Sequence, residues 1–132
     1  MSEFLKQVIV VRKLFPDGRG GFRGTRRGKE LAQIAHATKA CLKARNHNGV
    51  IELPSHITEW LNGQTRTIAL QVDHEEDLVK VAQAAQEAGL ECHVIEDLGL
   101  TEFGNTPTKT CLAIGPDLDS KIDPITKHLS LY

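Results

Sequence analysis

The run Gln7-Val8-Ile9-Val10-Val11 limits the fold more than any other part of this 132-residue chain. Its apolar residues are β-branched and nearly continuous, so no alternation of apolar and polar side chains marks a wet face. Such a run reads as a strand buried on both sides, which needs cover above and below its sheet. From Gly28 to about Arg45 the pattern turns helical. At about 100° per residue, Leu31, Ile34, Ala35, Thr38, Cys41 and Leu42 share an arc about 120° wide that is expected to pack on a sheet. Lys29, Gln33 and His36 cluster on the other side and are expected to point outward.

Further elements alternate along the chain. Residues 54–61 read as a short helix and residues 67–72 as a second strand. Asp73 with Glu76 three positions on has capping-box spacing, opening a helix that carries Leu78, Val81, Ala82 and Ala85 and stops at Gly89. Residues 91–95 read as a third strand, and residues 97–109 as a loop. Residues 110–114 read as a fourth strand closed by Gly115-Pro116, and a last helix lies within 119–127, shortened or kinked by Pro124. Strands alternating with helices predict one α/β domain over residues 1–132 with a parallel or mixed sheet. In such sheets ligands gather at the carboxyl ends of strands. The long loop after the first strand and Asp97 after the third are therefore expected at one edge.

Charge is divided unevenly. Residues 1–50 hold eleven Lys and Arg against three Asp and Glu, and residues 51–132 hold five against fourteen, which the overall −1 conceals. Arg26, Arg27 and Lys29 crowd the start of the first helix, where the helix dipole already disfavours cations. The arrangement suits a site for an external anion, phosphate being the usual one. Nucleotide motifs fail here. A P-loop needs Gly where Arg23 stands and Ser or Thr where Glu30 stands, and a dinucleotide fingerprint needs Gly at position 23. The segment Arg19-Gly20-Gly21-Phe22-Arg23-Gly24 resembles Arg/Gly boxes that grip single-stranded RNA, or else is a solubilising loop. A phosphate-rich partner, RNA foremost, fits the basic half.

Other classes are disfavoured. Cys41, Cys92 and Cys111 are odd in number and far apart, so they read as reduced thiols in a cytoplasmic protein. The histidines form no metal-type pair at helical spacing, so no metal site is expected. No apolar run approaches the length of a membrane span and the amino terminus lacks a signal peptide's apolar region. Candidate reactive groups remain: Lys29, Gln33 and His36 on one helix face, Asp97 and Thr101 after a strand, and Thr106, Thr108 and Thr110 before another. Each also has an ordinary reading, as an exposed stripe, an Asx-turn or simple β-propensity.

Taken together, these pieces resemble the type 2 peptidyl-tRNA hydrolase family over nearly the whole chain. The resemblance rests on Gln7-Val8-Ile9-Val10-Val11-Arg12, then Gly28-Lys29-x-x-Ala32-Gln33-x-x-His36-Ala37, Trp60 and Gly63-Gln64. It continues through Asp97-x-Gly99-x-Thr101, Thr110-x-Leu112-Ala113-Ile114-Gly115-Pro116 and Asp123-x-x-Thr126-x-x-Leu129-x-Leu131. It implies hydrolysis of the ester joining peptide to tRNA without metal or cofactor, a mixed four-stranded sheet flanked by helices on both faces, and commonly a homodimer. The family's catalytic positions map onto Lys29, Asp97, Thr101 and Thr110. Gln33 and His36 are further matches on the helix face, expected with Arg12, Arg26 and Arg27 to bind the substrate.

This chain departs from the family in a longer loop between Arg12 and Gly28, in Leu98, Pro124 and Lys127, and in an extra residue between Thr101 and Thr110 that lets Thr108 compete with Thr110. On this resemblance Asp97 orients or deprotonates water, although an ordinary Asp, with pKa roughly 3.9, is a weak base. Lys29 stabilises the oxyanion, and the threonines hold water or ester. A non-catalytic RNA-binding module of the same fold and a dimeric adaptor that meets an acidic partner are the other readings.

Overall fold

The computed structural model describes residues 3–97 and 106–132. Nine strands and four helices occur among them. The first strand, β1, spans Leu5–Arg12 and leads into a small hairpin, β2 Phe15–Pro16 and β3 Phe22–Arg23. Helix α1 follows at Arg27–Lys43, then a second hairpin of β4 Asn46–His47 and β5 Val50–Ile51, then α2 Ser55–Asn62. The remainder is β6 Thr67–Val72, α3 Glu75–Glu87, β7 Cys92–Asp97, β8 Thr108–Leu118, α4 Asp119–Thr126 and β9 Ser130–Leu131.

The main sheet is mixed, in the order β7-β8-β1-β6-β9. β1 pairs parallel with β6 and antiparallel with β8, and β8 pairs antiparallel with β7. β1, β6 and β7 therefore run the same way, and Arg12 and Asp97 end their strands at the same edge. The sheet has five strands rather than the four expected. The fifth, β9, contributes only Leu70↔Leu131 and Gln71↔Ser130, too short a pairing for periodicity to show.

Alternation along β1 explains its apolar run. Val8 and Val10 enter a cluster with Leu78, Val81 and Ala85 of α3 and Ile122 of α4. Ile9 and Val11 enter another with Ala37 of α1 and with Cys111 and Ala113 of β8. Removing one such side chain, as in Leu78→Ala, costs about 2–5 kcal/mol through lost burial and the cavity left behind.

Several local expectations shift. The capping box of α3 sits one residue later: Asp77 Oδ2 accepts the His74 N–H at 3.1 Å. Its carboxyl end is as expected. Gly89 takes φ +75°, with Gly89 N–H on Gln86 O at 3.0 Å and Leu90 N–H on Ala85 O at 2.9 Å, the paired bonds of a Schellman motif. β8 does not close at Gly115-Pro116 but runs through it to Leu118. Pro124 is the sixth of the eight residues of α4 and does not stop it at once: the ring removes one backbone N–H donor, and the helix ends two residues on.

The long Arg/Gly segment is also built differently from an open loop. Asp17 Oδ1 accepts the N–H groups of Arg19 at 2.7 Å and Gly21 at 3.0 Å, holding its carboxyl below the ordinary range. Phe15 is buried beneath the Arg12 guanidinium, 4.3 Å from its ring centre. The turn thus has its own reason for glycine: Gly18 and Gly20 adopt φ of +78° and +85°.

Candidate active site

Helix α1 begins at the edge where β1 and β7 end, and its first turn is crowded with charge. Arg26, the residue before the helix, offers no side-chain cap. Lys29 turns inward and its Nζ lies 2.5 Å from Asp97 Oδ2, with the two side chains only 15% and 7% exposed. Glu30, also buried, takes both its oxygens to Lys13 Nζ at 2.8 and 3.0 Å. The protein's own carboxylate therefore stands against the cationic helix tip, where an external anion is expected. Arg26 and Arg27 remain exposed.

Gln33 is the larger correction. It is expected to point outward but is buried at 8% exposure, while Leu31, expected inward, is 56% exposed. The buried stripe of α1 is Glu30, Gln33, Ala37 and Cys41. The face is rotated because its amino-terminal turn packs on the polar groups at the strand ends instead of on apolar core. Gln33 Nε2 donates to Asp97 Oδ2 at 2.9 Å, and its Oε1 lies 3.4 Å from the Thr110 hydroxyl. That hydroxyl has Ile95 O as its other acceptor, at 3.3 Å.

Thr110 reaches this position through an irregularity. The ladder pairs Ile95 with Cys111 and then Glu96 with Lys109, so Thr110 is the extra residue of a bulge. Bulges beside sites re-aim a side chain in this way. Thr108 instead donates to Thr106 O at 2.8 Å and stays with its own segment. Asp97 is the last residue of β7, opposite Thr108, and not part of a following loop. Being held in the ladder fixes its backbone. Thr101 lies outside the described residues.

Arg12 is not an exposed contact. It is 4% exposed, with its Nε donating to Leu14 O at 2.9 Å, its Nη1 to Lys109 O at 3.1 Å, and Glu75 3.6 Å away. Burial lowers its pKa, with Glu75 and Glu76 opposing. Arg12 braces β1, the hairpin and β8 beneath the site. Cys111, whose thiol donates to Gln33 O at 3.4 Å, is pushed up to about 12 by burial, too high for a nucleophile.

His36 is exposed and lines an open groove of ≈ 1040 Å³ that begins at Lys29, Gln33 and Asp97 and runs on between α1 and β7. Lys39 and Lys43 stand along the same wall, and neither was singled out from the sequence. The sevenfold spacing of Lys29, His36 and Lys43 is the signal that could have found this face. Among the described residues no cluster of His, Cys, Asp or Glu could hold a metal ion, and no helix is long and apolar enough to cross a membrane.

The family model described as peptidyl-tRNA hydrolase PTH2 matches residues 5–132. A peptidyl-tRNA hydrolase of Methanocaldococcus jannaschii is 35% identical over 128 residues, covering 96% of this chain and 99% of the relative. One from Nanoarchaeum equitans is 36% identical over 129 residues, covering 97% and 99%. Among solved structures, a protein of unknown function from Agrobacterium tumefaciens matches with a TM-score of 0.57 at 14% identity, over 96% of both chains, a likeness of fold alone.

Proposed function

The chain belongs to the peptidyl-tRNA hydrolase PTH2 family and cleaves the ester between peptide and tRNA; on that premise we propose that Lys29, Asp97 and Thr110, with Thr101, carry the reaction. The observation that carries this assignment is the Lys29–Asp97 contact, which joins a cation and a carboxylate from distant parts of the chain at the mouth of a groove.

The reaction adds water across the ester. A bond forms from the water oxygen to the carbonyl carbon, and the bond to the ribose oxygen breaks with a proton passing to that oxygen. Asp97 orients the attacking water and takes up its proton as attack proceeds. Lys29, three residues into α1, faces the developing oxyanion with its charge and the helix dipole behind it, and a donor so placed is worth roughly 3–4 kcal/mol. Gln33 positions rather than binds: it holds Asp97 by one end of its amide while Thr110 holds the other end. Thr101 is assigned to the ester on the family resemblance.

Exposed Arg26 and Arg27 take tRNA phosphates, His36 contacts substrate from the groove wall, and Arg12 acts from beneath by bracing the edge. The same reading takes residues 1–132 as one domain whose sheet is flanked by helices on both faces, supported by the two apolar clusters that divide β1. It takes the protein as a cytoplasmic homodimer that needs no cofactor. Exposed apolar side chains away from the groove, such as Leu61 and Leu131, supply surface for a partner copy, and light scattering of the purified protein tests this.

Incubation with peptidyl-tRNA tests the catalytic reading. Release of free peptide that Lys29→Ala abolishes supports it. Tight tRNA binding without release would favour the binding-module reading.

A further inference from the structure

The groove that starts at Lys29 and Asp97 continues along an open strand. Among the described residues β7 is the terminal strand of the sheet, and β8 is its one partner. Val94 and Ile95 both line the groove, although Val94 packs with the cluster around Val8 and Ile95 with the one around Ile9. Neighbouring side chains of a strand point to opposite faces. A cavity that touches both therefore lies along the strand's edge and not over one face.

The ladder tells which backbone groups look into it. The Gly115 N–H donates to Glu91 O at 2.9 Å, and Ile95 O lies on the β8 side, near the Thr110 hydroxyl. In an antiparallel pair these orientations alternate, so Glu91, His93 and Ile95 face β8 while Cys92 and Val94 turn their N–H and C=O away from it. An edge row of this kind is a template for another extended chain.

We propose that the peptide moiety of the substrate binds as an added parallel strand along the open edge of β7, its ester at Lys29 and Asp97 and its amino-terminal side toward Val94. This rests on the hydrolase reading. The direction follows from geometry: the ester must lie at Asp97, the carboxyl end of β7, so the peptide runs with β7. At roughly 3.3 Å per residue, Val94 meets the third or fourth residue from the ester.

Main-chain hydrogen bonds ignore side-chain identity, which suits a substrate whose peptide sequence varies. Ala40 and Leu42 of α1 and Ile51 of β5 give the groove apolar walls as well, which favours peptide over phosphate here despite Lys39 and Lys43 at its rim.

The test compares kcat/KM on N-acetyl-aminoacyl-tRNA with that on tetrapeptidyl-tRNA of the same last residue. Binding at the edge makes the longer substrate better by about five- to tenfold, the worth of one or two net hydrogen bonds. N-methylating its third or fourth amide, counted from the ester, removes most of that gain. Val94→Pro, which deletes an N–H outside the ladder, brings the ratio toward one.

Equal rates at both lengths, with no effect of N-methylation on the wild-type enzyme, overturn the proposal even if Val94→Pro fails to fold. A Val94→Pro defect that instead appears as weaker inhibition by deacylated tRNA assigns the groove to RNA and overturns it too. A wild-type protein that releases nothing from either substrate refutes the hydrolase reading itself, and this inference with it.

Discussion

Gln33 Nε2 and Asp97 Oδ2 meet at 2.9 Å across 64 positions of sequence, and the same oxygen lies 2.5 Å from Lys29 Nζ. Two donors from one helix thus fix one carboxylate at a strand end. A flexible glutamine has no reason to be buried on a helix face except such a partner, and a buried carboxylate requires donors of this kind.

Lys29→Ala and Asp97→Ala should each lower turnover of peptidyl-tRNA by at least about tenfold while circular dichroism shows the fold retained. Near-normal turnover in both would remove the catalytic assignment.

Gln33→Ala should lower kcat by about tenfold and change KM little, because it loosens Asp97 without removing a substrate contact. Gln33→Glu sets a second carboxylate against Asp97 and should move the acid limb of the pH–rate profile upward, since like charges disfavour ionisation. A rise in KM alone, with kcat and the pH profile intact, would return Gln33 to the role of a binding residue.

Affinity for peptidyl-tRNA should fall steeply with salt, because each phosphate contact releases counterions. Arg26→Ala and Arg27→Ala should each flatten the slope of log affinity against log salt by about one unit. A wild-type slope near zero would contradict the phosphate-binding role of the basic half.

Glu91 accepts two hydrogen bonds from Arg45 at 2.7 and 2.8 Å and lies 2.6 Å from His93 Nε2. Burial pushes its pKa up, but Arg45 and His93 pull harder, so the net shift is downward from 4.5. A lowered folded-state pKa contributes stability above the unfolded value and loses it as pH falls through the folded one. Glu91→Gln should therefore cost about 1 kcal/mol at neutral pH, a difference that narrows below about pH 4.5 in denaturant titrations. A difference that stays constant down to pH 3 would contradict the linkage.

Cys111 and Cys92 should resist alkylation in the folded protein at neutral pH, since burial raises their thiols to about 12 and about 11. Mass spectrometry after maleimide treatment measures this, and rapid labelling of Cys111 without unfolding would contradict its burial.

Much of the architecture is legible in the chain because it is local. The double-faced apolar run of β1, the span of α1, the limits of β6 and the glycine stop of α3 follow from periodicity and backbone preference over a few residues. What escaped depends on partners. β9 exists only because β6 offers an edge, and the hairpin after β1 is held by the Asp17 carboxylate and the Arg12–Phe15 contact.

The candidate groups were readable as types and motif positions: Lys29, Asp97 and Thr110 are the positions to which the family resemblance points. Their arrangement was not readable. Helical spacing turned Gln33 outward, because a periodicity rule counts apolar side chains and cannot see a buried carboxylate that makes a polar face the inner one. It could not choose Thr110 over Thr108 either, because a bulge is a property of two strands and not of one. The sequence alone determined the strand–helix order, the basic half and the inventory of reactive groups, since each depends on residues near one another. Only the tertiary structure decided which of those groups meet, because bringing β1, β7 and α1 to one edge is set by strand pairing across the chain.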